Sequence, residues 1–183
     1  MYADDLVILS NSASDLQESI NTLNKHAKLW KLKINTSKTN IMIINKLGKT
    51  IETQTFHCDK HPINVVDKQI YLGLTLTPSG RFTCAREILV KKGNKILASV
   101  RRMLSNCDYI PTQVYCKLFD TVIKPALFYG NEIWGPELFE YKTHFDKSVI
   151  EQFHIKFCKM ILNIPWYTSN NACRAEVERT AWM

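Results

Sequence analysis

No apolar run in the chain approaches the ~20 residues that a membrane-spanning helix needs. Neither a charged n-region nor a secretory h-region opens it, which reads as an intracellular protein with no membrane partner. None of the six cysteines (Cys58, Cys84, Cys107, Cys116, Cys158 and Cys173) is spaced CxxC. An intracellular chain keeps such thiols reduced, so a disulfide framework is excluded. His57, Cys58 and His61 cluster, as do His154 and Cys158, but neither group has the ligand spacing of a structural zinc site. Internal repeats and low-complexity linkers are missing too. Residues 1–24 carry no lysine or arginine, only four acids.

What is present is a 183-residue chain with 45% hydrophobic residues, enough for one sizeable core or two small ones. Its net charge of +7 is unevenly spread: residues 25–124 hold 18 of the 24 Lys and Arg against six acids. A basic body beside an acidic tip suits a protein that follows a phosphate backbone and places metal at one point. The tip is Met1-Tyr2-Ala3-Asp4-Asp5-Leu6-Val7-Ile8-Leu9-Ser10. The run Leu6–Leu9 reads as a buried strand, which puts Asp4 and Asp5 at its edge or in a tight turn. Two carboxylates so placed suit Mg²⁺, which takes one or two of them and leaves its other positions to water and phosphate.

Ser14 with Gln17 forms a capping-box pattern. Leu16, Ile20, Leu23, Ala27 and Trp30 then draw one apolar stripe, so a helix is expected over 14–30. Short apolar runs at 32–34 and 41–44 flank a polar turn. Strands are expected at 51–56, 63–66 and 70–77, with Asp59, Lys60 and Pro62 in a hairpin connection and Gly73 allowing close backbone approach. Pro78-Ser79-Gly80 closes this part. From Cys84 to Ser105 the pattern turns helical: Ala85, Leu89, Ile96, Val100 and Met103 are apolar, and Arg86, Lys91, Lys92, Lys95, Arg101 and Arg102 occupy the remaining faces. Gly93 interrupts it at a cost of about 1 kcal/mol relative to Ala. Pro111 opens a helix through about residue 129, with a kink or break expected at Pro125. A further helix runs over 147–162 and Pro165 stops it.

Taken in order, Tyr2-Ala3-Asp4-Asp5, the amphipathic helix, Ile34-Asn35-Thr36-Ser37-Lys38-Thr39 and Tyr71-Leu72-Gly73 resemble the reverse transcriptases of non-LTR (LINE-type) retrotransposons. The segments correspond to the YADD metal motif, motif D and the primer-grip motif E. Leu118-Phe119-Asp120 and Tyr129-Gly130-Asn131-Glu132-Ile133-Trp134-Gly135 resemble the helical thumb that follows. The resemblance implies an α+β fold: a partial polymerase palm of short antiparallel strands with one packed helix over 1–80, a thumb-like helical region over 81–135, and a helical extension over 136–183. It implies Asp4 as principal metal ligand with Asp5 beside it, Lys38 near the pyrophosphate leaving group, and Tyr71, Leu72 and Gly73 as the primer grip. A lysine there can neutralise polyphosphate charge or act as general acid. The basic residues Arg86, Lys91, Lys92, Lys95, Arg101 and Arg102 would line the template–primer minor groove. The intact enzyme would extend a DNA primer on an RNA template with dNTPs and Mg²⁺, in the nucleus by family analogy.

The family carries a further catalytic aspartate and the fingers ahead of YADD, and this sequence begins at Met1. The expectation is therefore an internal methionine taken as a start or a truncated element copy, with an incomplete metal site and no polymerase activity in the chain alone. The alternative is a non-catalytic nucleic-acid-binding remnant using residues 25–124. A third reading is a purely structural or interaction protein.

Overall fold

The computed structural model describes residues 5–48, 54–107, 109–140 and 148–177. The chain forms two compact units, Met1–Gly80 and Arg81–Met183, and the fold is α+β.

In the first unit, helix α1 (Ala13–Leu29) is capped by Ser12, whose hydroxyl accepts from the Asp15 N–H at 3.2 Å. The cap thus sits two residues ahead of the Ser14 capping box, and Gln17 is released for another task. Ile20 and Ala27 are buried, whereas Trp30 ends the helix and is 75% exposed. The stripe loses Trp30 because Lys31 turns left-handed (φ 56°) and carries the chain away. Strands β1 (Asn40–Ile41), β2 (Phe56–Cys58) and β3 (His61–Val65) form a sheet in the order β1-β3-β2. β2 and β3 make an antiparallel hairpin through Asp59 (φ 59°), whereas β1 runs parallel to β3. Antiparallel pairing alone was expected. Ile20, Ile41, Phe56, Cys58 and Ile63 form the core of this unit.

Gln17 reaches from α1 to the free edge of β2. Its Nε2 donates to His57 O at 2.7 Å and its Oε1 accepts from His57 N–H at 3.0 Å. His57 therefore turns its backbone groups outward, so its pairing with Pro62 is of the non-hydrogen-bonded kind. The N–H that proline lacks is not needed on the β2 side, and β1 covers only Asn64 and Val65. A proline is thereby accommodated within the middle strand of the sheet.

The expected strand over 70–77 is instead a hairpin. β4 (Gln69–Tyr71) pairs antiparallel with β5 (Leu74–Leu76), and Tyr71 faces Leu74. Leu72 (φ 46°) and Gly73 (φ 81°) make the two-residue turn, both left-handed as in type I′ hairpins. No strand forms at 32–34. The run Leu6–Leu9 is not a buried strand: Leu6 and Val7 are exposed and Leu9 is 87% exposed. Residues 51–53 of the expected 51–56 strand lie outside the described residues.

The second unit comprises α2 (Thr83–Leu104), α3 (Thr112–Leu118), α4 (Lys124–Leu127), α5 (Asn131–Glu140), α6 (Val149–Ile161) and α7 (Asn170–Glu176). The break expected at Pro125 is resolved differently. A π-helical segment, Phe119–Ile123, joins α3 to α4, and the Lys124 N–H bonds to Phe119 O, five residues back. Widening the turn just ahead of the proline absorbs the missing donor and the ring clash without ending the helix. Leu97, Phe119, Ile123, Leu127, Phe153 and Phe157 share one core, with Phe119 and Phe157 rings 4.2 Å apart. Helices on both sides of residue 135 contribute to it. Gly93 lies where α2 meets α4 and α6: a Cβ there would stand 2.7 Å from Leu127 Cδ2 and 3.4 Å from Phe153 Cζ. Its absence of a side chain permits the close helix approach. Trp134 is buried, with its indole N–H donating to Tyr129 O at 2.9 Å.

Candidate nucleic-acid interface

Asp4 lies outside the described residues. Asp5 is described, is exposed, and makes a single strand-type bridge. An exposed carboxylate fits one oxygen position of a hard cation. Among the described residues there is no group of three or more His, Cys, Asp or Glu side chains able to hold a metal. Lys38 sits in a turn organised by Asn35. The Asn35 carbonyl accepts from the Lys38 and Thr39 N–H groups (both 3.1 Å) and from the Thr39 hydroxyl (2.9 Å). Ser37 Oγ donates to Asn35 Oδ1 at 2.7 Å. The backbone is held and the Lys38 side chain is exposed.

Tyr71 is half-buried, and Leu72 and Gly73 stand exposed at the tip of the β4–β5 hairpin. The structure thus supplies a projecting turn at 71–73 rather than a flat strand.

On α2, Lys91, Lys92, Lys95, Arg101 and Arg102 are exposed. Arg86 is not. It is only 8% exposed, and its Nη1 meets Glu137 Oε2 at 2.8 Å. The same oxygen accepts from the Phe82 N–H at 3.0 Å, so Glu137 caps α2 from outside while Arg86 balances its charge. Arg86 is thus engaged inside the second unit and is not presented to a phosphate backbone as expected. Tyr129 is half-exposed.

Two titrations are perturbed in the first unit. Burial pushes the Cys58 thiol up, Asp59 adds to the rise, and Lys28 partly offsets it. Cys58 is therefore an inert core thiol. The Lys28 ammonium, 3.0 Å from Asp59, donates a hydrogen bond and holds that carboxyl below its usual range.

The sequence reading passed over Trp166 and Tyr167, which are 84% and 75% exposed, and over Lys156 and Lys159 beside them. A Trp-Tyr pair directly after a proline that ends a helix was the available signal, since such residues have no helix face on which to be buried.

Residues 1–76 match the reverse transcriptase (RNA-dependent DNA polymerase) family. That stretch contains both Tyr2–Asp5 and the Tyr71–Gly73 hairpin tip. Across 91% of its residues the chain is 26% identical to an RNA-directed DNA polymerase from mobile element jockey of Drosophila melanogaster. It is 23% identical, again across 91%, to a probable RNA-directed DNA polymerase from transposon BS of the same organism. The chain spans 18% of the length of each of these relatives. No solved structure matches. The chain is similar to LINE-type retrotransposon reverse transcriptases, over residues 1–76 and beyond them. No helix among the described residues is long and apolar enough to cross a membrane.

Proposed function

We propose that this chain is the palm-end and thumb portion of a retrotransposon RNA-directed DNA polymerase acting in the nucleus. The observation that carries the reading is the reverse-transcriptase match over residues 1–76, which contains the paired aspartates and the exposed hairpin tip together. In it, Asp4 and Asp5 would hold Mg²⁺, which would supply charge stabilisation to the transferring phosphoryl group. Lys38, on its fixed turn, neutralises charge on the departing pyrophosphate. The tip at Tyr71, Leu72 and Gly73 bears on the primer end. Lys91, Lys92, Lys95, Arg101 and Arg102 lie along the template–primer duplex, each contact adding to the salt dependence of binding. RNA template, DNA primer and dNTPs are the partners.

Two adjacent carboxylates are a weak cage by themselves, because ligand count and charge set affinity for a hard cation. The 183 residues alone are accordingly proposed to bind RNA–DNA duplex without extending a primer. The purified chain is offered a primed RNA template with dNTPs and Mg²⁺. Salt-sensitive binding that survives Asp4→Ala, without extension, is the expected result. Mg²⁺-dependent extension abolished by Asp4→Ala would sink the non-catalytic part, and absence of binding would sink the whole. In a longer in-frame chain that extends primers, Asp4→Ala and Asp5→Ala abolish extension. The exposed cations of α2 also suit a purely nucleic-acid-binding remnant, in which extension never appears in any length of chain.

A further inference from the structure

Helix α2 ends beside α6, and the segment 162–169 that joins α6 to α7 closes a groove of about 570 Å³ in the second unit. That volume falls in the range of ligand sites. Its wall carries Arg101, Lys156 and Lys159, and no acidic side chain among the described residues lines it. The other polar groups are amides, Gln152, Asn163 and Asn170, which both donate and accept hydrogen bonds. Ile155, Met160 and Ile164 make the floor apolar.

Trp166 completes the lining, and it is not a loosely placed residue. The Lys159 ammonium donates to Trp166 O at 2.6 Å, tying the segment back to α6. Asn163 takes a left-handed conformation (φ 52°), and the next N–H, of Ile164, bonds to Lys159 O at 3.1 Å, which turns the chain sharply out of the helix. The Thr168 N–H bonds to Pro165 O at 3.2 Å, and the Tyr167 ring stands edge-on to the indole with centroids 5.9 Å apart. The fold thus fixes the backbone on both sides of an indole and leaves Trp166 84% exposed in a groove lined by cations.

We propose that this groove binds single-stranded nucleic acid, with a phosphate at Lys156 and a base stacked on Trp166. Cations with no opposing acid among the described residues select a polyanion. An open aromatic face beside them selects one with planar groups free to stack. A duplex hides its base faces, and an acidic peptide engages the cations while leaving the indole unused. The amides can meet base edges. The site is built from residues of the second unit and stands whether or not the chain belongs to a working polymerase.

The test uses the whole chain and fluorescein-labelled 12-mers of oligo(rU) and oligo(dT), read by anisotropy. A blunt duplex and poly-glutamate serve as competitors. Trp166→Ala is expected to weaken both single strands by about 5- to 150-fold, the range of base–aromatic stacking. Trp166→Phe retains most of the affinity. Lys156→Gln reduces the salt slope by about 0.7, one single-strand phosphate contact. Tighter binding of one 12-mer identifies RNA or DNA as the source, and either preference supports the site. Because the indole is exposed, Trp166→Ala leaves the circular dichroism spectrum unchanged. Affinity within about twofold of the parent in that folded variant overturns the proposal. Equal competition by poly-glutamate also overturns it, and assigns the groove to acidic protein segments.

Discussion

The buried ion pair between α6 and α7 gives the sharpest test of what holds the second unit together. Glu151 is fully buried, and its Oε1 accepts from Arg174 Nε at 3.1 Å and Nη2 at 2.5 Å. His154 Nδ1 lies 3.6 Å from the same oxygen, while Oε2 is buried without a hydrogen bond among the described residues. One guanidinium therefore provides the two short contacts to this carboxylate. At an effective dielectric near 20, unit charges about 4 Å apart attract by about 4 kcal/mol. Measured losses on removing one partner of a buried pair run to about 3–5 kcal/mol, because the remaining charge is stranded. Arg174→Met is thus expected to destabilise the second unit by about 3–5 kcal/mol. With a urea slope of about 2 kcal/mol per molar, the midpoint falls by roughly 2 M. Buried Trp134 reports the transition by fluorescence. The double variant Glu151→Leu/Arg174→Met removes both members of the pair and regains most of the loss, since apolar replacement of a whole buried pair is often neutral. An Arg174→Met cost under about 1 kcal/mol, or a double variant less stable than the single, would refute the reasoning.

Two further outcomes follow from packing and charge. Gly93→Ala gains about 1 kcal/mol of helix propensity but drives a methyl to 2.7 Å from Leu127 Cδ2 inside the core. Overpacking costs about 1–3 kcal/mol, so a net loss near 1 kcal/mol is expected in urea unfolding, and Gly93→Val loses more. A stabilised Gly93→Ala would show that Leu127 swings aside freely. In the first unit the lowered Asp59 carboxyl contributes stability that is present above its ordinary value of 3.8 and is lost as pH falls through the lowered one. Lys28→Met, followed by NMR titration, should return the Asp59 titration towards that ordinary value and flatten this acid-side component. An unmoved titration would remove Lys28 as the cause.

Helices were the most legible part of the sequence. The stripe of α1 and the apolar face of α6 announce themselves at helical spacing, because one side of each must be buried. Short strands were less so. Leu72 carries no turn signal, yet it occupies a left-handed position next to Gly73, so two strands read as one. Leu6–Leu9 is apolar but exposed, since composition states what a segment would bury and not what is there to cover it. Charge was the poorest guide to side. Arg86 shares a helix with five exposed cations and still turns inward, because its partner Glu137 lies 51 residues away in sequence. The paired aspartates were visible from residue type and order alone, and the groove around Trp166 was not, because it joins residues from α2, α6 and the segment after it.

The amide of Gln17 has a bearing on how wide the first sheet can become. It occupies the outward N–H and C=O of His57 at the middle of β2, the two groups that any incoming extended segment would need for pairing. A neighbouring chain laid along β2 must first displace a side chain anchored in a helix. Closure of this flank therefore waits on α1 docking, and until the helix arrives the hairpin presents both groups to any extended segment. Synthesis runs in the protective direction: α1 precedes β2 in the chain, so the latch already exists when the strand it guards is made.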